Sequence, residues 1–152
     1  MNKTKLAVYK AATTRRTIRR FKQKPISKSI LKYLINAARL APSAANLQPL
    51  EFITITNNDV CSKVFVHLRW AGYIAPYGIP SLKERPVAYI AVLVTRIKAQ
   101  PKYAAYDVGA AAENIMLSAW ERGIGSCWMQ TINRAKIKRI LNISGDYLRK
   151  YS

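Results

Sequence analysis

Residues 87–95 read VAYIAVLVT, nine residues without a charge and almost entirely aliphatic. A run of that length is too short for a spanning helix and too apolar for a solvated strand. It predicts a central strand covered on both faces. The next periodic stretch, 107–122, is the most apolar helix candidate in the chain, and Gly123 follows it where a left-handed cap is favoured. Gly109, Ala110, Ala111 and Ala112 keep its first turns slim, so another backbone can approach closely. A strand and a slim helix in succession commit the chain to a mixed architecture.

The remaining elements follow from period and punctuation. Residues 3–14 predict a helix with Leu6, Val8, Tyr9 and Ala12 on one side. Ser27 can cap a helix reaching about Leu40, with Ile30, Leu31, Leu34, Ile35 and Ala38 at three- and four-residue steps and Pro42 stopping it. Residues 51–56, EFITIT, predict a strand. Asp59 can cap a third helix carrying Val60, Val64, Phe65 and Leu68. Gly72, Pro76, Gly78 and Pro80 then make a loop. Residues 126–129 predict a short strand, and Asn133 can cap a last helix with Ile137, Ile140 and Leu141. Helices on both faces of one sheet are expected. With 152 residues, half of them apolar, and no linker or repeat, residues 1–152 are expected to form one domain. A chain of ~150 residues buries roughly 70% of its unfolded surface.

Several functions are excluded early. No run of eighteen apolar residues appears, so no bilayer-spanning helix is expected. The segment MNKTKLAVYK lacks the apolar stretch of a secretory signal, and a cytoplasmic location is expected. Cys61 and Cys127 predict two reduced thiols rather than a disulfide framework. His67 is the sole histidine and there is no CxxC, so zinc has no support.

Charge is the unusual property. The formal net charge is +19, from 26 Lys and Arg against 7 Asp and Glu. All seven acids lie at or beyond Glu51, so the first fifty residues carry twelve cations and no carboxylate. Such a field attracts phosphate-bearing cofactors, nucleic acid or acidic lipid alike. No helix-turn-helix, RRM, KH or zinc-finger pattern accompanies it, and the cations are spread along the chain.

Three segments offer chemistry. In Arg15-Arg16-Thr17-Ile18-Arg19-Arg20-Phe21, guanidinium forks can donate two hydrogen bonds at once to a phosphate, and Thr17 adds a hydroxyl. A solvated basic turn, a polyanion patch and a small phosphate site are all open readings of it. In Ala41-Pro42-Ser43-Ala44-Ala45-Asn46-Leu47-Gln48-Pro49, the side-chain amides of Asn46 and Gln48 donate and accept, which suits the edge of a planar heterocycle; an ordinary polar loop is the alternative. Residues 106–114, YDVGAAAEN, lead on to 123–128, GIGSCW. Glu113, a carboxylate on so apolar a helix, requires a partner such as one of the arginines.

Taken together and in order, RRTIRRF, APSAANLQPLEFI and YDVGAAAENIMLSAWERGIGSCW resemble the FMN-dependent nitroreductase family, from about residue 10 to about residue 147. The resemblance implies an α+β fold, a central antiparallel-rich sheet flanked by helices, in a homodimer with flavin at the subunit interface. It assigns Arg15, Arg16 and Thr17 to the FMN phosphate and ribityl chain, and Arg19 to the N1–O2 edge of the flavin. It assigns Pro42, Ser43, Ala44, Asn46 and Gln48 to a loop laid against the flavin by the partner subunit. The backbones of Met129 and Gln130 fall beside N5. The implied reaction is ping-pong: NADH or NADPH reduces the flavin, and a nitroaromatic, quinone or similar small-molecule acceptor reoxidises it. The cofactor carries that chemistry, so no acid–base catalytic residue is required. A flavin binder with little turnover and a basic nucleic-acid-binding module are the alternatives. Two departures stand out. Leu50 takes a place where the family often has an aromatic residue. Family members also usually run some tens of residues past the last helix, adding a strand that embraces the partner and a basic residue at the phosphate; Arg149 or Lys150 would have to substitute.

Overall fold

The computed structural model describes residues 7–143 together with Tyr147. Seven regular elements follow one another: α1 (Ala7–Thr14), α2 (Lys28–Arg39), β1 (Leu50–Ile55), α3 (Asn58–Phe65), β2 (Tyr89–Val94), α4 (Ala104–Glu121) and α5 (Arg134–Ile140). β1 and β2 pair antiparallel, with Leu50 opposite Val94 and Ile55 opposite Tyr89. Because side chains alternate across a strand, this register sorts the sheet into two faces. Ile53, Ile55, Tyr89 and Ala91 meet Cys61 and Val64 of α3 and Ile137 of α5. Leu50, Val92 and Val94 meet Ala104 and Val108 of α4. Helices therefore cover both faces, as the sequence predicts, and the architecture is α+β.

Capping follows the sequence with one correction. The Ser27 hydroxyl accepts from the Ile30 N–H at the start of α2, and Asn133 accepts from the Lys136 N–H at the start of α5. At α3 the cap is Asn57 rather than Asp59. The Asn57 side chain accepts from the N–H groups of both Asp59 and Val60, leaving Asp59 in the first turn, where a carboxylate favours the helix dipole. α4 ends as its glycine foretells. Gly123 has φ +69°, its N–H donates to Trp120 and the Ile124 N–H donates to Ala119, which satisfies two terminal carbonyls.

Three further expectations change. Residues 126–129 form no strand; Ser126 alone makes an isolated parallel bridge, to Thr17. A single bridge gives no ladder, since the segment opposite it is equally irregular. Within the described residues β2 has β1 as its one strand neighbour, and only Val94 of its six residues is fully buried. An apolar cavity of ≈970 Å³ lies between β2, α4, α5 and residues 124–130, and it keeps the other five partly accessible. On α1, Val8 and Tyr9 are exposed instead of packed. That helix is tied down at its C-terminal end, where the Trp120 indole N–H donates to Thr14 Oγ1 at 2.9 Å. Leu6, Arg149 and Lys150 lie outside the described residues.

Candidate flavin site

α4 is the spine on which the three sequence segments converge. Near its start Asp107 is buried, with 5% of its surface exposed, and accepts from the Ala44 N–H at 2.9 Å. Two residues on, the Trp128 ring lies over Gly109; a Cβ added there would stand 4.0 Å from it. A turn further, Glu113 faces Arg15, whose Nε is 4.0 Å from its carboxylate. Next to that, Asn114 donates to the Ala37 carbonyl at 3.0 Å and fixes α2 alongside.

The arginine segment crosses the far end of this spine. The Ile18 N–H donates to the Ser126 carbonyl at 3.0 Å, which locks residues 17–18 beside residues 125–126. This close approach explains Gly125. A Cβ there would lie 2.8–2.9 Å from three carbons of Ile18, including its Cβ. A β-branched side chain cannot swing its own Cβ away, so only glycine lets the two backbones pair. The Arg15 side chain is 23% exposed, while that of Glu113 keeps 48%. A partly exposed pair at that distance adds little stability, so its effect is to aim the Arg15 guanidinium. Arg16 turns back and donates to the carbonyls of Thr13 and Arg15, closing the last turn of α1. Arg19 is exposed, and among the described residues its guanidinium makes no hydrogen bond or ion pair. Its positive charge reaches Cys127, whose thiol is pushed up by burial and drawn partly back by Arg19.

The partner expected for Glu113 is thus Arg15, but Glu113 is the half-exposed carboxylate. Asp107 is the buried one, and sequence reasoning did not single it out. The signal was available in Tyr106-Asp107-Val108, an acid at the threshold of an apolar helix facing a loop of small residues.

Loop 42–48 has its own geometry. Asn46 (φ 53°), Ala45 (φ 49°) and Gln48 (φ 48°) all adopt the left-handed region. Asparagine tolerates this, whereas alanine and glutamine are strained there, each by about 1 kcal/mol or more. The surroundings over-determine the loop. The Ser43 hydroxyl accepts from the Gln48 N–H at 3.0 Å, Asp107 holds Ala44, and buried Pro49 accepts from the Thr95 N–H at 2.9 Å. Pro42, Asn46 and Gln48 are exposed, and Ser43 and Ala44 are half-buried. No described hydrogen bond joins this loop to residues 15–19. The loop thus holds three left-handed residues in place, with Asn46 and Gln48 exposed.

Met129 is half-buried and its sulfur lies 3.5 Å from Cys127 Sγ, while the Gln130 carbonyl accepts from Arg134 at 3.4 Å. Met129 thus adjoins Cys127, the residue that the charge of Arg19 reaches. The Ser126 hydroxyl is buried with no hydrogen-bond partner among the described residues. A buried hydroxyl without a partner costs ~1–3 kcal/mol. Together, a pre-aimed Arg15, an uncommitted Arg19, the Thr17 hydroxyl and this orphaned Ser126 hydroxyl form a donor set that fits a phosphorylated flavin.

Comparison with known proteins identifies the family. The model of the nitroreductase family matches residues 12–149. A protein of Methanothermobacter thermautotrophicus named as an NADH dehydrogenase/NAD(P)H nitroreductase is 29% identical over 125 residues, 82% of this chain and 61% of that protein. One of Archaeoglobus fulgidus with the same name is 32% identical over 135 residues, 84% of this chain and 70% of the relative. The chain thus spans about two thirds of the length of these relatives. Among solved structures, a protein named as a nitroreductase from Desulfovibrio desulfuricans, in complex with FMN, superposes with a TM-score of 0.76 at 26% identity. That match covers 90% of this chain and 77% of the other. The chain belongs to the nitroreductase family.

Proposed function

We propose that this chain, acting as one domain over residues 1–152, is an FMN-dependent NAD(P)H oxidoreductase that reduces nitroaromatic, quinone or similar conjugated acceptors. The observation that carries this reading is the Thr17–Ser126 bridge, which sets a cluster of arginines against an orphaned buried hydroxyl and the 126–130 segment. The names of the relatives and the FMN in a neighbour of similar fold support the same assignment.

In this reading Arg15, Arg16 and Thr17 hold the phosphate and ribityl chain, and Arg19 stands at the N1–O2 edge. When bound, FMN supplies the two-electron chemistry. Arg19, permanently charged, would favour the more negatively charged reduced form of a flavin held there, a differential binding. The Met129 and Gln130 backbones would border the flavin there. Loop 42–48, already strained into its working shape, covers the flavin of the partner in a homodimer. The protein works in the cytoplasm, without nucleic acid or membrane in the reaction itself.

The test is anaerobic addition of NADH, then NADPH, to the flavin-loaded protein. Loss of the flavin's visible absorbance with either nucleotide, and its return on adding a quinone or nitroaromatic, is the expected result. Bound flavin that neither nucleotide bleaches would instead indicate a flavin-binding protein with little turnover.

A further inference from the structure

A flavin site uses few of the 26 cations, and seven acids cannot neutralise the rest. Two ion pairs, Arg15–Glu113 and Arg20–Glu84, join described residues. One dense group of cations lies on α5. α5 reads RAKIKRI, and Arg134, Lys136 and Arg139 are exposed along it. Its apolar residues are committed inward: Ile137 is buried with Ile55 and Val64, and Ile140 packs against the same cluster.

The neighbouring segment adds to this face for a geometric reason. Leu68 and Ile132 form an antiparallel bridge, and both point into the core beside α3 and α5. Alternation then turns Arg69, Thr131 and Asn133 the other way, and all three are exposed. Two backbone bonds fix the arrangement, from the Arg69 N–H to Thr131 and from the Asn133 N–H to His67. Lys63, in the last turn of α3, is exposed as well. Asp59 is the one acid on the described elements that build this face.

We infer that this face, α5 with the 67–69 and 131–133 bridge, docks the phosphate backbone of nucleic acid without reading its sequence. Three of its cations are arginines, whose planar forks match phosphate oxygens. α5 carries no aromatic side chain to stack on bases. A membrane surface fits less well. A helix lying in the interface inserts an apolar face, and the apolar side of α5 is spent on the core.

The experiment is fluorescence anisotropy of a labelled DNA duplex of about 20 base pairs, titrated with the flavin-loaded protein at several KCl concentrations. Two variants that remove equal charge are compared. One is Arg69→Gln/Lys136→Gln/Arg139→Gln on the proposed face. The other is Lys28→Gln/Lys32→Gln/Arg39→Gln on α2. The wild type should bind with an affinity that falls steeply with salt. The face variant should bind at least about tenfold more weakly, and its salt slope should be shallower by roughly 0.9 for each phosphate it no longer neutralises. The α2 variant should stay within about twofold of wild type. Equal losses in both variants would reduce the effect to net charge and overturn the inference. So would failure of the wild type to bind the duplex, or preferential binding to phosphatidylserine vesicles. Circular dichroism checks folding, and the single change Lys136→Gln decides the matter if the triple variant unfolds.

Discussion

Purified Arg15→Ala/Arg19→Ala protein is expected to emerge without flavin, while its circular dichroism and melting curve stay close to wild type. Each arginine is assigned a charge-assisted hydrogen bond to the cofactor, and such bonds contribute about 1.5–3 kcal/mol apiece. Losing both predicts an affinity weaker by roughly 10²–10⁴-fold. The fold should tolerate the change, because neither side chain belongs to the apolar clusters and Arg15's single ion pair is partly solvated. The measurement is the ratio of flavin absorbance to protein after gel filtration. Full occupancy in the double variant would move the phosphate elsewhere in the molecule.

Asp107→Ala should produce the second large effect, through the loop rather than the cofactor. The carboxylate is buried and holds the Ala44 N–H, the first residue of a turn that leads into three left-handed residues. Without it, loop 42–48 keeps its own turns (Asn46 N–H to the Ser43 carbonyl, Leu47 N–H to that of Ala44), the Ser43 hydroxyl and the Pro49 anchor, but loses its tie to α4, and it should relax. Removing a hydrogen bond to a buried charge costs about 1.5–3 kcal/mol, which in a domain of this size lowers Tm by roughly 3–12 °C. Proteolysis should speed up within residues 42–48. Asp107→Asn retains the acceptor oxygen and should recover most of the loss. An alanine variant that melts and is cleaved like wild type would show that Asp107 does not hold this loop.

Most of the helical framework is legible in the sequence because the reasons are local. Ser27 and Asn133 cap, Gly123 terminates, and the apolar steps of α2 pick out its buried Leu31, Leu34 and Ala38. Asn57 displaces Asp59 as a cap because position, more than residue type, decides which oxygen reaches the free N–H groups. The tertiary features are harder to read. The VAYIAVLVT run is apolar enough for full burial, yet its burial depends on what lies beyond β2, which no local pattern encodes. Residues 126–129 predict a strand, but the partner of Ser126 is the irregular arginine segment just after α1, and among the described residues one bridge is all it makes.

The site divides in the same way. The residue types of RRTIRRF leave a basic turn, a polyanion patch and a phosphate site open, and those of PSAANLQP a polar loop or a heterocycle's edge; only the family resemblance selects among them. The close approach of Gly125 to Ile18 that brings the first segment to its place, the orphaned Ser126 hydroxyl and the buried Asp107 emerge only once the chain is folded. Left-handed Ala45 and Gln48 could not have been anticipated either, since neither residue prefers that conformation.

The claim on which the rest depends is that arginines at 15–19 grip a flavin phosphate, and direct titration with FMN tests it. Flavin fluorescence should quench to saturation at one FMN per chain, with a Kd at or below about 1 μM, some −8 kcal/mol. Riboflavin, which lacks the phosphate, should bind far more weakly. Equal affinity for the two, or no saturable binding up to about 1 mM, would contradict the assignment.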